Sequence, residues 1–183
     1  MHTELSGPAN FLPPPRRGGG YLLYLDYDGV LHPESVYFYH RRGPVLVNAP
    51  GHRMFEHVDL LEQELKPYPS LKIVLSTSWV RRYHGSLARV ARHLTPGLRK
   101  RIIGATYHSR MDEHEFAEAP RGVQIWADVV RRRPTSWLAL DDDYVRWPMW
   151  CRDKLVLTDE TLGISAPHVL DELRIKLAST VRQ

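Results

Sequence analysis

The stretch YLLYLDYDGV, Tyr21 to Val30, decides how the rest of the chain is read. Its apolar run has strand character and ends abruptly at Asp26, after which Tyr27, Asp28 and Gly29 follow. In an extended chain residues i and i+2 point to the same side, so Asp26 and Asp28 reach one cation or one substrate. At the carboxyl end of a strand in an open α/β sheet they stand on the rim where ligands bind. Neighbouring carboxylates raise each other's pKa, and a divalent metal removes that cost. Mg²⁺ suits such a pair because it takes oxygen ligands, keeps waters and often shares a substrate phosphate. The plainer reading is a strand followed by an acidic turn, since Asp-Gly is a common turn pair.

A chain of 183 residues, 43% hydrophobic and 25% charged, has the size and composition of one soluble globular domain with an arm. The expected division is a flexible arm over 1–20, with four prolines and Gly18-Gly19-Gly20, and a single domain over 21–183. Arg16 and Arg17 in the arm read as a solvated tail or as a contact to an anionic partner. No apolar run is long enough to span a bilayer and the first residues lack a signal-peptide pattern, so the expected location is cytoplasmic. One cysteine, Cys151, cannot make an internal disulfide, and no nucleophile motif surrounds it. The net charge of +4 is compatible with an anionic partner or with an ordinary basic surface.

Outward from Gly29, Val36 to Tyr39 and Val45 to Val47 flank Arg-Arg-Gly-Pro and predict a hairpin beside the rim. Apolar spacing predicts a helix over Arg53 to Leu65, stopped by Pro67. Leu71 to Leu75 reads as a second strand ending in Ser76-Thr77-Ser78-Trp79. A helix is expected over Val80 to Leu94, stopped at Pro96-Gly97, then a strand over Arg101 to Thr106 and a polar loop. Another helix runs from about Arg121 to Arg132, whose end, Arg131-Arg132-Arg133, reads as a solvated, dipole-favoured terminus. Ser136 to Leu140 is a strand leading into Asp141-Asp142-Asp143, and Lys154 to Thr158 a fifth strand. A last helix from Ala166 to Ser179 takes Ser165 as its N-cap. Strands alternating with helices imply a parallel sheet covered on both faces.

Four rim features recur in order: hhhDxD at YLLYLDYDG, a strand ending in hydroxyls at KIVLSTSW, a basic residue opening a helix at APRGVQIWADVV, and acids after a strand at WLALDDD. In this order they resemble the haloacid dehalogenase (HAD) superfamily of phosphotransferases, over nearly all of the chain. The wording of STSW and WLALDD looks most like the small capless HAD domains related to bacterial RNA-repair proteins. The resemblance implies a HAD-like Rossmannoid three-layer α/β/α sandwich with a mostly parallel five-stranded sheet and a minimal cap, here a β-hairpin flap.

It also implies an activity: a Mg²⁺-dependent phosphatase, a phosphoric monoester hydrolase working through an aspartyl phosphate. By position, Asp26 corresponds to the nucleophile and Asp28 to the general acid and base. Thr77 and Ser78 would bind the phosphoryl oxygens, with Ser76 the register alternative. Metal ligation would fall to Asp26, Asp28 through its backbone carbonyl, Asp141 and Asp142, with Asp143 in reserve. The family usually places Lys where this chain offers Arg121, a departure that keeps the charge but changes reach and proton chemistry; Arg110 is the other candidate cation. Tyr27 and His32 line the mouth or pack beneath it.

Neither half of the chain has room for a folded cap, so the site is expected to be open. An open rim and the aromatics Tyr37, Phe38 and Tyr39 favour a bulky phosphorylated substrate, a nucleic-acid end or nucleotide, alongside a small phosphorylated metabolite. The Lys-to-Arg departure and the minimal cap leave a second reading, a catalytically weak HAD-fold binding or regulatory module for nucleic acid or protein.

Overall fold

A computed structural model describes residues 12–181. Its centre is β1, Tyr21–Leu25, four of whose five residues are buried. Period-two alternation splits this strand between two cores. Leu23 and Leu25 face one core, and Leu22 and Tyr24 the other. Because both faces are covered, the strand reads as continuous hydrophobic sequence rather than as alternating polar and apolar residues.

Around it lie β4, Lys72–Leu75, β5, Ile102–Ala105, β6, Ser136–Asp141, and β7, Leu155–Leu157. They form a five-stranded sheet in the order β5-β4-β1-β6-β7, and every pairing is parallel. The first core is closed by α1, Val58–Leu65, α3, Leu87–Ala91, α4, Pro96–Arg101, and α7, Pro167–Thr180. The second is closed by α6, Arg121–Arg132, through Ile125 and Val129. The result is the expected three-layer α/β/α arrangement. The chain leaves β1 toward β4 and later returns to its other side at β6, so the switch point lies at the end of β1.

The flap is a two-stranded antiparallel hairpin, β2, Val36–Tyr39, with β3, Gly43–Leu46. Its second strand starts earlier than expected, because Gly43 and Pro44 pair with Tyr39 and Phe38 instead of forming only the turn. Tyr37 and Tyr39 are exposed, whereas Phe38 packs inward on Trp79.

Several boundaries differ from the sequence reading. The helix expected over Val80–Leu94 is two short ones, α2, Ser78–Arg82, and α3. His84 and Gly85 take positive φ, 51° and 80°, and Gly85 N–H bonds back to the Val80 carbonyl, which closes the first helix. Pro96-Gly97 starts a helix rather than stopping one: Pro96 sits in the first turn of α4, and the Thr95 hydroxyl accepts from Leu98 N–H. The polar loop contains α5, Glu113–Glu118, capped by Asp112. The helix expected from Arg53 begins at Val58. Ser165 is not the cap of α7; its hydroxyl donates to the Leu162 carbonyl, and Pro167 opens the helix after Ala166.

Arg132 is also not a solvated terminal charge. It is buried, with its Nε 2.6 Å from Asp128 Oδ2, the same oxygen to which the Tyr24 hydroxyl donates at 3.1 Å. Arg132 further donates to the Arg17 carbonyl, and its own carbonyl accepts from Gly19 N–H, so residues 17–19 are tied to the end of α6. Residues 1–11 of the expected arm lie outside the described residues. Cys151 is a free, buried thiol. Among the described residues no helix is long and apolar enough to cross a membrane.

Candidate active site

The sheet positions each rim residue by backbone hydrogen bonds. Asp26 N–H donates to the Leu140 carbonyl and Ser76 N–H to the Leu25 carbonyl, which brings the ends of β1, β4 and β6 together. After Asp26 the chain turns tightly, with Val30 and Leu31 N–H groups both donating to the Tyr27 carbonyl. Gly29 holds φ at +68°, and a Cβ there would collide with the carboxylate of Asp142. Glycine is therefore required twice, for the dihedral and for the close approach.

Asp26 is 4% exposed and Asp141 fully buried. Each of Asp26, Asp141 and Asp142 offers an oxygen, and these oxygens lie within 4.8 Å of one another. Arg121, the first residue of α6, reaches into the group. Its Nη2 is 3.0 Å from Asp26 Oδ2 and its Nε 3.2 Å from Asp141 Oδ2, and it also donates to the Ser76 carbonyl. A cation at a helix N-terminus opposes the helix dipole, so the carboxylates and not the helix favour arginine there. Arg110 is exposed, its N–H bonded to His108.

Electrostatics follow from this crowding. Burial raises the pKa of Asp26; Arg121 opposes the rise and Asp28 adds to it. Burial likewise raises Asp141 well above the ordinary carboxylate range, again against Arg121. Asp142 is pushed up to about 7 by burial and by the charges of Asp26 and Glu34. For Arg121, burial works against the charge, but Asp26, Asp141, Asp143 and Asp142 outweigh it and raise its pKa. One arginine thus faces several carboxylates that resist ionising together. Asp141 Oδ2 is buried without a hydrogen bond despite the nearby Arg121 Nε. An all-oxygen group with an unsatisfied buried carboxylate oxygen fits a hard divalent cation such as Mg²⁺, which the residues Asp26, Asp141 and Asp142 could hold.

Asp28 is turned differently. Its carboxylate oxygens lie 2.9 and 3.0 Å from the indole Nε1 of Trp79, and Oδ1 is 3.1 Å from His32 Nε2. Its side chain remains 22% exposed and lines the cleft. Trp79, overlooked in the sequence beyond its place in the STSW wording, is the partner that two-residue spacing at β1 could not reveal.

Thr77 caps α2 by accepting from Trp79 N–H at 3.3 Å, and its hydroxyl also bonds to Asp26, favouring the ionised form. Ser76 Oγ is buried without a partner. Ser78 is the hydroxyl residue that lines the cleft. Asp143 accepts from Val145 N–H, which shapes the turn after β6. Tyr27 and His32 do not line the mouth: both are fully buried. The cleft, of about 420 Å³, is also lined by Glu34, Glu160, Tyr144 and Val145, none of which the sequence reading singled out.

A Rossmann-like α/β domain with an acidic pocket at its switch point is the class that fold and site define. A family model described as the HAD domain in Swiss Army Knife RNA repair proteins matches residues 22–169, and the chain belongs to that family. No curated protein and no solved structure matches it.

Proposed function

We propose that this domain is a Mg²⁺-dependent phosphatase that hydrolyses a phosphomonoester through an aspartyl phosphate on Asp26. Family membership and the buried acidic cluster support phosphatase-type chemistry in general terms. The observation that carries the finer reading is Asp26 itself. It sits at the end of the central strand, with a guanidinium nitrogen 3.0 Å from one oxygen and two further acids within metal-sharing distance of its carboxylate.

In this reading an Asp26 oxygen attacks phosphorus, a P–O bond to Asp26 forms, and the ester P–O bond breaks. The proton held by the Asp28 carboxyl goes to the leaving oxygen, which departs as an alcohol. Water then attacks the phosphorus, gives a proton to Asp28, and releases inorganic phosphate and the Asp26 carboxylate. Thr77, Ser78 and Arg121 hold the phosphoryl oxygens as charge spreads over them. Asp26, Asp141, Asp142 and the Asp28 carbonyl would hold Mg²⁺, which would supply positive charge against the negative charge of the phosphoryl group.

The substrate we favour is a nucleotide or the phosphorylated end of a nucleic acid, because the open cleft leaves room for a bulky leaving group and the hairpin carries the exposed aromatics Tyr37 and Tyr39. A phosphate-release assay on nucleotides, sugar phosphates and 3′- or 5′-phosphorylated oligonucleotides tests this. EDTA-sensitive turnover that disappears in Asp26→Asn is expected. Equal rates in the wild type and Asp26→Asn would end the proposal, and oligonucleotide binding without turnover would favour a non-catalytic module.

A further inference from the structure

Trp79 is fully buried in the first core, yet its one polar atom points at the rim. The indole Nε1 lies 2.9 Å from Asp28 Oδ1 and 3.0 Å from Oδ2, a shared hydrogen bond across the whole carboxylate. Aromatic contacts from three segments fix the ring: Phe55 at 5.3 Å, Tyr27 at 5.7 Å, and Phe38 from the hairpin at 5.1 Å between centroids. A side chain held this way cannot follow a rotating carboxylate, so rotation of Asp28 costs the hydrogen bond. An indole N–H only donates; it can orient Asp28 but cannot take its proton.

We infer that Trp79 is a positioning residue, which fixes the carboxyl group of Asp28 in the orientation that hands its proton to the leaving oxygen. This rests on the phosphatase reading above and adds to it a specific dependence on the leaving group. A buried indole also needs an acceptor for purely structural reasons. The two roles separate in kinetics, because a leaving group that departs readily as an anion does not need Asp28's proton, whereas an alkoxide does.

The experiment compares kcat/KM for an alkyl phosphomonoester and for 2,4-dinitrophenyl phosphate in the full chain with Mg²⁺. The parameter kcat/KM covers departure of the leaving group and is blind to the later attack of water. Trp79→Phe keeps the ring and removes the N–H. General acid catalysis contributes about 10²–10⁴-fold, so the ratio of alkyl to dinitrophenyl kcat/KM is expected to fall at least about tenfold in Trp79→Phe. Phe38→Ala, which removes a support of the indole without cutting into the central sheet, is expected to lower the same ratio by less. It decides the matter if Trp79→Phe does not fold. Equal losses on both substrates would reduce Trp79 to a core residue and overturn the inference while leaving the phosphatase standing. A wild type inactive on these two substrates and on nucleotides, sugar phosphates and phosphorylated oligonucleotides would overturn the phosphatase reading and this inference with it.

Discussion

Replacing Arg121 with glutamine removes the cation that, among the described residues, contacts both Asp26 and Asp141. The three side chains are 15%, 6% and 0% exposed, so neither carboxylate gains much water in exchange. Breaking one partner out of a buried ion pair costs about 3–5 kcal/mol. In a domain of this size each kcal/mol moves Tm by about 2–4 °C, so the metal-free variant should melt roughly 6–20 °C lower. The deficit depends on pH in a definite direction. Burial already raises the folded pKa of Asp26 and Asp141, and Arg121 holds that rise in check. A carboxyl raised on folding stabilises the fold below its unfolded pKa and loses that contribution as pH rises through the folded value. Without Arg121 both groups rise further, so the gap in Tm should be widest near about pH 8 and narrow toward about pH 4–5. Calorimetry of both proteins across that range in EDTA is the assay. Added Mg²⁺ should recover part of the loss near about pH 8 by supplying another positive charge. A pH-independent gap, or none, would refute the electrostatic role assigned to Arg121.

Three further outcomes follow from particular contacts. Gly29→Ala forces an L side chain into φ +68° against Asp142, so it should abolish the rise in Tm caused by Mg²⁺; an unchanged shift would contradict the close approach. Because Asp142 is pushed up to about 7, Mg²⁺ must displace its proton below that pH, and calorimetric affinity should strengthen from about pH 6 to about pH 8. Flat affinity would remove Asp142 from the ligand set. Tyr37→Ala with Tyr39→Ala removes two exposed side chains and the ring contact between them, so stability should fall by no more than about 1.5 kcal/mol. The same pair should weaken a phosphorylated oligonucleotide by about 1–3 kcal/mol per stacked base while sparing a small phosphomonoester, as read from KM. An unchanged KM for the oligonucleotide would place the substrate away from the hairpin.

The central layer was legible because strands buried on both faces leave long apolar runs, as in YLLYL and SWLAL, and because acids directly after such runs can only lie at a rim. That Asp26, Arg121, Asp141 and Asp142 meet follows from strand order, which motif order anticipated. Local signals with two meanings were not legible. Pro96 both ends and begins helices, and His84-Gly85 breaks a pattern whose apolar spacing continues past it. Long-range polar partners left no trace in the chain either. Beside its local i,i+4 partner Asp128, Arg132 is buried because the Tyr24 hydroxyl, 104 residues from Asp128 and on the sheet face beneath α6, donates to the same carboxylate. Trp79 reaches Asp28 over 51 residues, a pairing that spacing cannot encode.

Rapid quenching of the Mg²⁺-loaded protein with a substrate carrying labelled phosphate, followed by peptide mapping, tests the central claim most directly. Acid-stable, hydroxylamine-sensitive label is expected on the peptide containing Asp26 and is expected to be absent from Asp26→Asn. Turnover with label on another residue, or with none on Asp26 at any quench time while phosphate is released at full rate, would contradict it.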